Sequence, residues 1–269
     1  MNTVKRILPI LIVVLTIWSC ATVPISGRRQ ISLLPESQMM SMSLTQYQTF
    51  LAENKVVADH IEQTKLVKRV GQRIAAAVEK YMKANNMANR IKGYQWEFNL
   101  VDEHTVNAWC MPGGKVVVYT GILPITKTEE GLAVVMGHEI AHAIARHGNE
   151  RMSQGMMAQG ITTGLAVAIR EKPAETQALF LGAVGMGTNV GMLAFGRNQE
   201  SEADKLGMVF MAMAGYRPEA AIPFWERMKS AGGDGGTPEF LRTHPSHDIR
   251  IDRIKEWLPN AVAYFEKTN

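Results

Sequence analysis

Between Met136 and Gly148 the chain reads MGHEIAHAIARHG, two histidines four apart with a glutamate directly after the first. On an α-helix, residues at that spacing differ by about 40° in direction. His138 and His142 therefore leave one face a turn apart and can point ring nitrogens at one cation. Glu139 leaves to one side, where its carboxylate can hydrogen-bond a metal-bound water without being a ligand. The pattern H-E-x-x-H pairs two zinc-binding imidazoles with a general base in this way. Val134, Val135, Ile140 and Ile144 bury the helix, and the small Ala141 and Ala143 leave room beside the site. A helix so buried does not tolerate two histidines and a glutamate without partners, because unpaired buried polar groups are costly.

A catalytic zinc takes three protein ligands and keeps one position open. The third candidate lies in RNQESEADKLG, where Glu200 and Asp204 are again four apart on an expected helix. Glu200 would complete a His₂Glu site with one Zn²⁺ per chain. Asp204, one turn behind, would accept a hydrogen bond from a ligand histidine and fix its tautomer. Glu202 points elsewhere and is the competing choice.

These residues need elements to position them. Residues 36–51 carry a helical pattern, and Val67, Val70, Ile74, Ala77, Val78 and Tyr81 recur at threes and fours in a second helix. YQWEFNLV (94–101) alternates as a strand does. GGKVVVYTG (113–121) is a β-branched run opened by a Gly-Gly turn, a second strand beside the motif helix. Its edge could pair with an extended substrate, with Asn107, Gly113 and Gly114 as the residues that would meet it; a plain structural hairpin is the alternative. Beyond Thr126 the chain reads as almost wholly helical. Thr126 or Thr128 caps the motif helix, Glu129 and Glu130 favour its positive end, and Gly148 is its expected terminator. Residues 155–170 and 178–195, rich in Gly, Ala, Met and Leu, read as buried or cleft-side helices and not as membrane spans. SAGGDGGTPEF (230–240) is a loop that delivers THPSHDIR to its place.

A hydrophobic content of 46% with 20% charged residues is that of a globular chain, so disorder is not the default. A net charge of +4 over 269 residues, without basic stretches interleaved with aromatics, argues against nucleic acid as a partner. At the amino terminus Lys5 and Arg6 precede an apolar run from Ile7 to Ile17, which fits the core of a secretory signal. The run ends in TIWSC. This resembles a bacterial lipobox, in which Cys20 would be lipidated, although Trp18 stands where a small residue is usual; a signal anchor with an incidental cysteine is the alternative. The expected organisation is a signal peptide at 1–19, a lipid-anchored tether or surface-hugging arm over 20–35, and a single domain over 36–269. Cys110 then has no partner and reads as a small packed residue. Ala21 after Cys20 favours the periplasmic face of the outer membrane, with the inner membrane as the alternative.

HEIAH, the ESEAD cluster, NAWCMPGG (107–114) and RTHPSHDIR (242–250) occur in the order seen in the HtpX/BepA/LoiP-type zinc metallopeptidases. These gluzincins also include the CAAX prenyl endopeptidase and the mitochondrial Oma-type protease. The resemblance covers residues 30–258 and points to the lipoprotein LoiP-like branch. It implies an α+β, predominantly helical, zincin-like domain with a small sheet beside the active-site helix. It implies a zinc endopeptidase of the bacterial cell envelope, acting on unfolded or misassembled polypeptides. A chaperone-like assembly factor with a latent protease, working with outer-membrane protein assembly machinery, is the alternative. By resemblance, His138, His142 and Glu200 are the ligands, Glu139 is the base, and Asp204 orients a ligand. His244 approaches the zinc or the tetrahedral intermediate, and Arg250 lines the site.

Overall fold

The computed structural model describes residues 20–170, 174–232, 237–244 and 249–268. The expected signal peptide lies outside the described residues, as do the side chain of Cys20 and therefore its lipidation.

Strands β1 (Cys20–Thr22) and β2 (Arg29–Ile31) form an antiparallel hairpin. It does not hang free as a tether would. Val23 is buried in the core, and the Gln30 amide donates to the carbonyl of Ala145. Helices α1 (Glu36–Glu53) and α2 (Glu62–Ala84) follow. In α2 the apolar residues at threes and fours, Val67, Val70, Ile74 and Val78, are all fully buried, as the helical period requires.

Three strands make the second sheet: β3 (Glu97–Val101), β4 (Ala108–Met111) and β5 (Lys115–Tyr119), in the order β3-β5-β4. β3 runs parallel to β5, and β4 runs antiparallel to it. The β-branched run over 115–119 is thus the central strand, with both edges paired. β3 and β4 are the two edges; residues 55–57 bridge the outer side of β3, and β4 packs on the motif helix. Gly113 and Gly114 form the β4–β5 turn with φ of 91° and 84°, a conformation open to glycine and strained for other residues. A Cβ on Gly114 would lie 2.7 Å from the Trp96 ring.

A short helix α3 (Leu123–Thr126) leads into the motif helix α4 (Glu129–Ile144). Thr128 is the cap, its hydroxyl accepting from the amide of Gly131 at 3.0 Å. Residues from Gly131 to Ile144 are all buried, since the sheet lies on one side and helices on the others. Gly148 does not end α4. Arg146 takes the left-handed position there, with φ 58°, and Gly148 sits in the first turn of α5 (His147–Ala168).

The long helix α6 (Ala174–Met213) pairs with α5 and crosses α4. Helices α7 (Ala221–Ser230), α8 (Glu239–Thr243) and α9 (Arg250–Glu266) close the far side. Residues 155–170 and 178–195, expected to be buried or cleft-side, instead expose apolar side chains, among them Ile161, Val167, Met186 and Leu193. Among the described residues, no helix is long and apolar enough to cross a membrane.

Where α4 and α6 cross, Gly137 and Gly207 face one another. A Cβ on Gly137 would lie 2.8 Å from the Gly207 carbonyl oxygen, and one on Gly207 would lie 2.8 Å from the His138 amide nitrogen. Both obstacles are backbone and cannot turn aside. Gly207→Ala is therefore expected to destabilise the fold by about 1–3 kcal/mol, measured by denaturant unfolding. An unchanged midpoint would show that the crossing has slack.

Candidate metal centre

α4 brings His138, Glu139 and His142 to the crossing, and α6 brings Glu200 and Asp204 from the opposite side. The Nε2 atoms of His138 and His142 are 3.1 Å apart. Each lies 3.4 Å from an oxygen of Glu200. His244, at the end of α8, places Nδ1 3.1 Å from Glu200 Oε2 and 3.4 Å from His138 Nε2. One ligand atom from each of these four residues falls within 4.8 Å of the other three, as donors to one ion would.

The donors suit a cation. Asp204 accepts a hydrogen bond from His138 Nδ1 at 2.9 Å, so the Nε2 of His138 presents its lone pair to the cluster. Burial opposes charge on His138, yet the carboxylates of Asp204 and Glu200 outweigh it and raise its pKa to about 9. The pocket therefore stabilises positive charge at this atom. Burial pushes His142 well below its usual value, against the pull of Glu200, which keeps that imidazole neutral. Burial would also raise the Glu200 carboxyl, but His142, His138 and His244 hold it far below the ordinary carboxylate range. Two imidazole Nε2 atoms and an ionised carboxylate thus face one point, where positive charge is favoured.

Glu139 is 2% exposed, and its Oε1 has no hydrogen-bond partner among the described residues. The nearest charge partner is His244 Nε2 at 3.5 Å. Burial raises the Glu139 carboxyl above its ordinary value, with His244 opposing. It is a base with a vacant acceptor at the rim of the donor cluster.

Arg250 stands beside the donor cluster, its Nη2 donating to Glu200 Oε2 at 3.4 Å. Its guanidinium donates to both oxygens of Asp204, from Nε at 2.7 Å and Nη2 at 3.0 Å, and to the carbonyl of His244 from Nη1 at 3.2 Å. It also stacks 3.6 Å over Trp225. With its donors committed it holds Asp204 ionised, against burial, and anchors the His244 segment. His247 lies outside the described residues.

His147, which belongs to no metal-ligand spacing in the sequence, lies against the site. It is fully buried, with Nδ1 2.9 Å from Nδ1 of His142 and Nε2 2.9 Å from Glu202. Glu202, the competing ligand, is therefore turned away from the metal centre and toward this histidine. Arg28 of the amino-terminal hairpin meets Glu202 and Glu150 at 2.8 Å each. The only sequence signal for His147 is its position five after His142, which no helical spacing connects across the break at Arg146.

The β4 edge lies beside this cluster. A pocket of about 140 Å³ adjoins His142, lined from the strand by Cys110, Met111 and Pro112. Gly113 and Gly114, expected to touch substrate, do not line it; they turn the chain instead. Asn107 stands at the start of β4, its side-chain oxygen accepting from the Ala108 amide.

Residues 63–258 match peptidase family M48. A Schizosaccharomyces pombe protein named mitochondrial metalloendopeptidase OMA1 is 35% identical over 243 residues, covering 89% of this chain and 66% of that one. The Saccharomyces cerevisiae protein of the same name is 34% identical over 187 residues, 66% of this chain and 52% of that one. The Escherichia coli beta-barrel assembly-enhancing protease is 29% identical over 190 residues, 67% of this chain and 39% of that protein. The chain thus spans two thirds or less of the length of these relatives. The mitochondrial names overturn the expected place on the periplasmic face of an outer membrane. A basic start followed by a short apolar run encodes membrane affinity, and that physical signal does not specify a compartment.

Asp204→Asn leaves the fold a neutral isostere but weakens the acceptor that fixes His138. The dissociation constant for added divalent metal is expected to rise by about 10–100-fold, read by competition with a chelator. Wild-type affinity would remove Asp204 from the metal centre.

Proposed function

The chain belongs to peptidase family M48, and we propose that it is a zinc-dependent endopeptidase acting on unfolded or misassembled polypeptides in protein quality control. The observation that carries this reading is the buried, vacant Oε1 of Glu139 beside a His₂Glu donor set. Two imidazoles and one carboxylate, with room for one further oxygen, are the donors zinc takes in hydrolytic sites. His138 and His142 would hold it through Nε2, and Glu200 through its carboxylate. Bound there, zinc supplies Lewis acidity, polarising the scissile carbonyl and lowering the pKa of water.

The protein's own groups do the rest. Glu139 takes the proton of the attacking water on its free oxygen and returns it to the leaving amine; its raised pKa suits both halves of that exchange. His244, beside Glu139 and Glu200, donates to the oxyanion of the tetrahedral intermediate. The free edge of β4 pairs with an extended substrate main chain, with Asn107 at its start, and reads backbone more than side chains. An extended segment is what an unfolded polypeptide offers and a folded one hides.

One observation favours a second reading, a latent protease with a chaperone-like role. His244 Nδ1 already lies among the donor atoms, so as a fourth ligand it would fill the position the attacking water needs. The methionine-rich faces of α5 and α6 would then hold unfolded segments without cutting them. His244→Ala separates the two, raising proteolysis if His244 blocks the site and lowering it if His244 serves the oxyanion.

Glu139→Gln preserves shape and zinc but removes the base. Its expected loss is about 10²–10⁴-fold in casein cleavage, with zinc content unchanged. Full activity from the metal-replete variant would sink the mechanism.

A further inference from the structure

We propose that Arg28, in the amino-terminal hairpin, is a positioning residue of the metal centre: acting through Glu202 and His147, it fixes which nitrogen of His142 faces the metal. The inference rests on the zinc reading above and adds a part of the chain that the reading does not use.

The argument is one of hydrogen-bond roles. Arg28 donates from Nε and Nη2 to Glu202 Oε2, at 2.9 and 2.8 Å. Ser26 donates its hydroxyl to the other oxygen, Oε1. A carboxylate held by these donors is ionised and can only accept. His147 Nε2, 2.9 Å from Glu202 Oε2, must therefore carry a proton and donate it. In a neutral imidazole the other nitrogen then has only a lone pair, so His147 Nδ1 is an acceptor. The atom 2.9 Å from it is His142 Nδ1, which must be the donor. A neutral His142 with its proton on Nδ1 has its lone pair on Nε2, the atom 3.4 Å from Glu200 Oε1 within the donor cluster.

The two histidine ligands are thus set by parallel devices of different length. Asp204 acts directly on His138 and is held by Arg250; Glu202 acts on His142 through His147 and is held by Arg28. Arg28 is held in turn, with Nη1 and Nη2 each donating to an oxygen of Glu150 at 2.8 Å. Gln30 anchors the same hairpin by donating to the Ala145 carbonyl just past the end of α4.

The test uses the full chain, zinc alone as the ligand, and a competing chromophoric chelator. Arg28→Ala is expected to raise the zinc dissociation constant by about tenfold or more. In ¹⁵N imidazole spectra, His142 should lose its single Nδ1-protonated form. Arg69→Ala, which removes a surface ion pair to Glu129 at the start of α4, should leave both readouts unchanged. A folded Arg28→Ala protein with wild-type zinc affinity would overturn the proposal. So would a wild-type protein in which His147 carries its proton on Nδ1, a measurement that stands even if Arg28→Ala fails to fold. Wild-type protein that binds no zinc would defeat the peptidase reading itself, while the tautomers would still judge this relay.

Discussion

Where the motif helix meets the long helix, the two backbones touch without side chains between them. Gly137 and Gly207 make that possible, and each would drive a Cβ into the other helix's main chain if it carried one. The separation matters because the ligands are short. Imidazoles from α4 and a carboxylate from α6 share one cation only if the axes lie close, and a larger residue at the crossing would part them. Each helix also offers its groups four apart, so one turn of α4 faces one turn of α6. Glu200 and Asp204 then reach His138 together, one toward the metal and one behind the ring.

So close a crossing buries many charges, and the structure answers each with a committed partner. Asp204 and Glu202 are both nearly inaccessible acids, and each is gripped by an arginine with donors in excess. Glu150 shares the second of these arginines and also accepts from Gln199. Fixed bidentate geometry is what such positions ask of a cation, and lysine does not supply it. Buried ion pairs of this kind add little net stability once desolvation is counted. Here they hold acceptors in place so that ring nitrogens point where they must. Glu139 is the exception: its Oε1 has no hydrogen-bond partner among the described residues, and His244 Nε2 lies 3.5 Å away.

How much of this could be read from sequence follows from the range of each signal. His138, Glu139, His142, Glu200 and Asp204 stand on helices whose period places side chains by simple counting, and all five meet as the spacing requires. The helical period also found α1 and α2. The two strands were legible, but alternation carries no information about order in a sheet, so an edge was assigned to the strand over 113–121 when the edges are β3 and β4. Glycine's tolerance of left-handed φ marks Gly148 as a helix terminator in the sequence, yet Arg146 occupies that position two residues earlier. Arg250 was placed at the site by resemblance, and only the geometry shows it turned toward Asp204. His147 and Arg28 were illegible for a plain reason: Arg28 and Glu202 are 174 residues apart, and no local pattern connects them.

That separation also orders events in time. The centre gathers Arg28, the turn from His138 to His147, the stretch from Glu200 to Asp204, and the segment from His244 to Arg250. Closing loops of such length costs chain entropy that only the completed contacts return, so non-local sites of this kind assemble late in folding. During synthesis the motif helix is made about a hundred residues before the segment that carries His244. A nascent chain therefore holds its two histidines without the acids that orient them or the arginines that hold those acids. The donor cluster is therefore complete only once segments from both ends of the chain have come together.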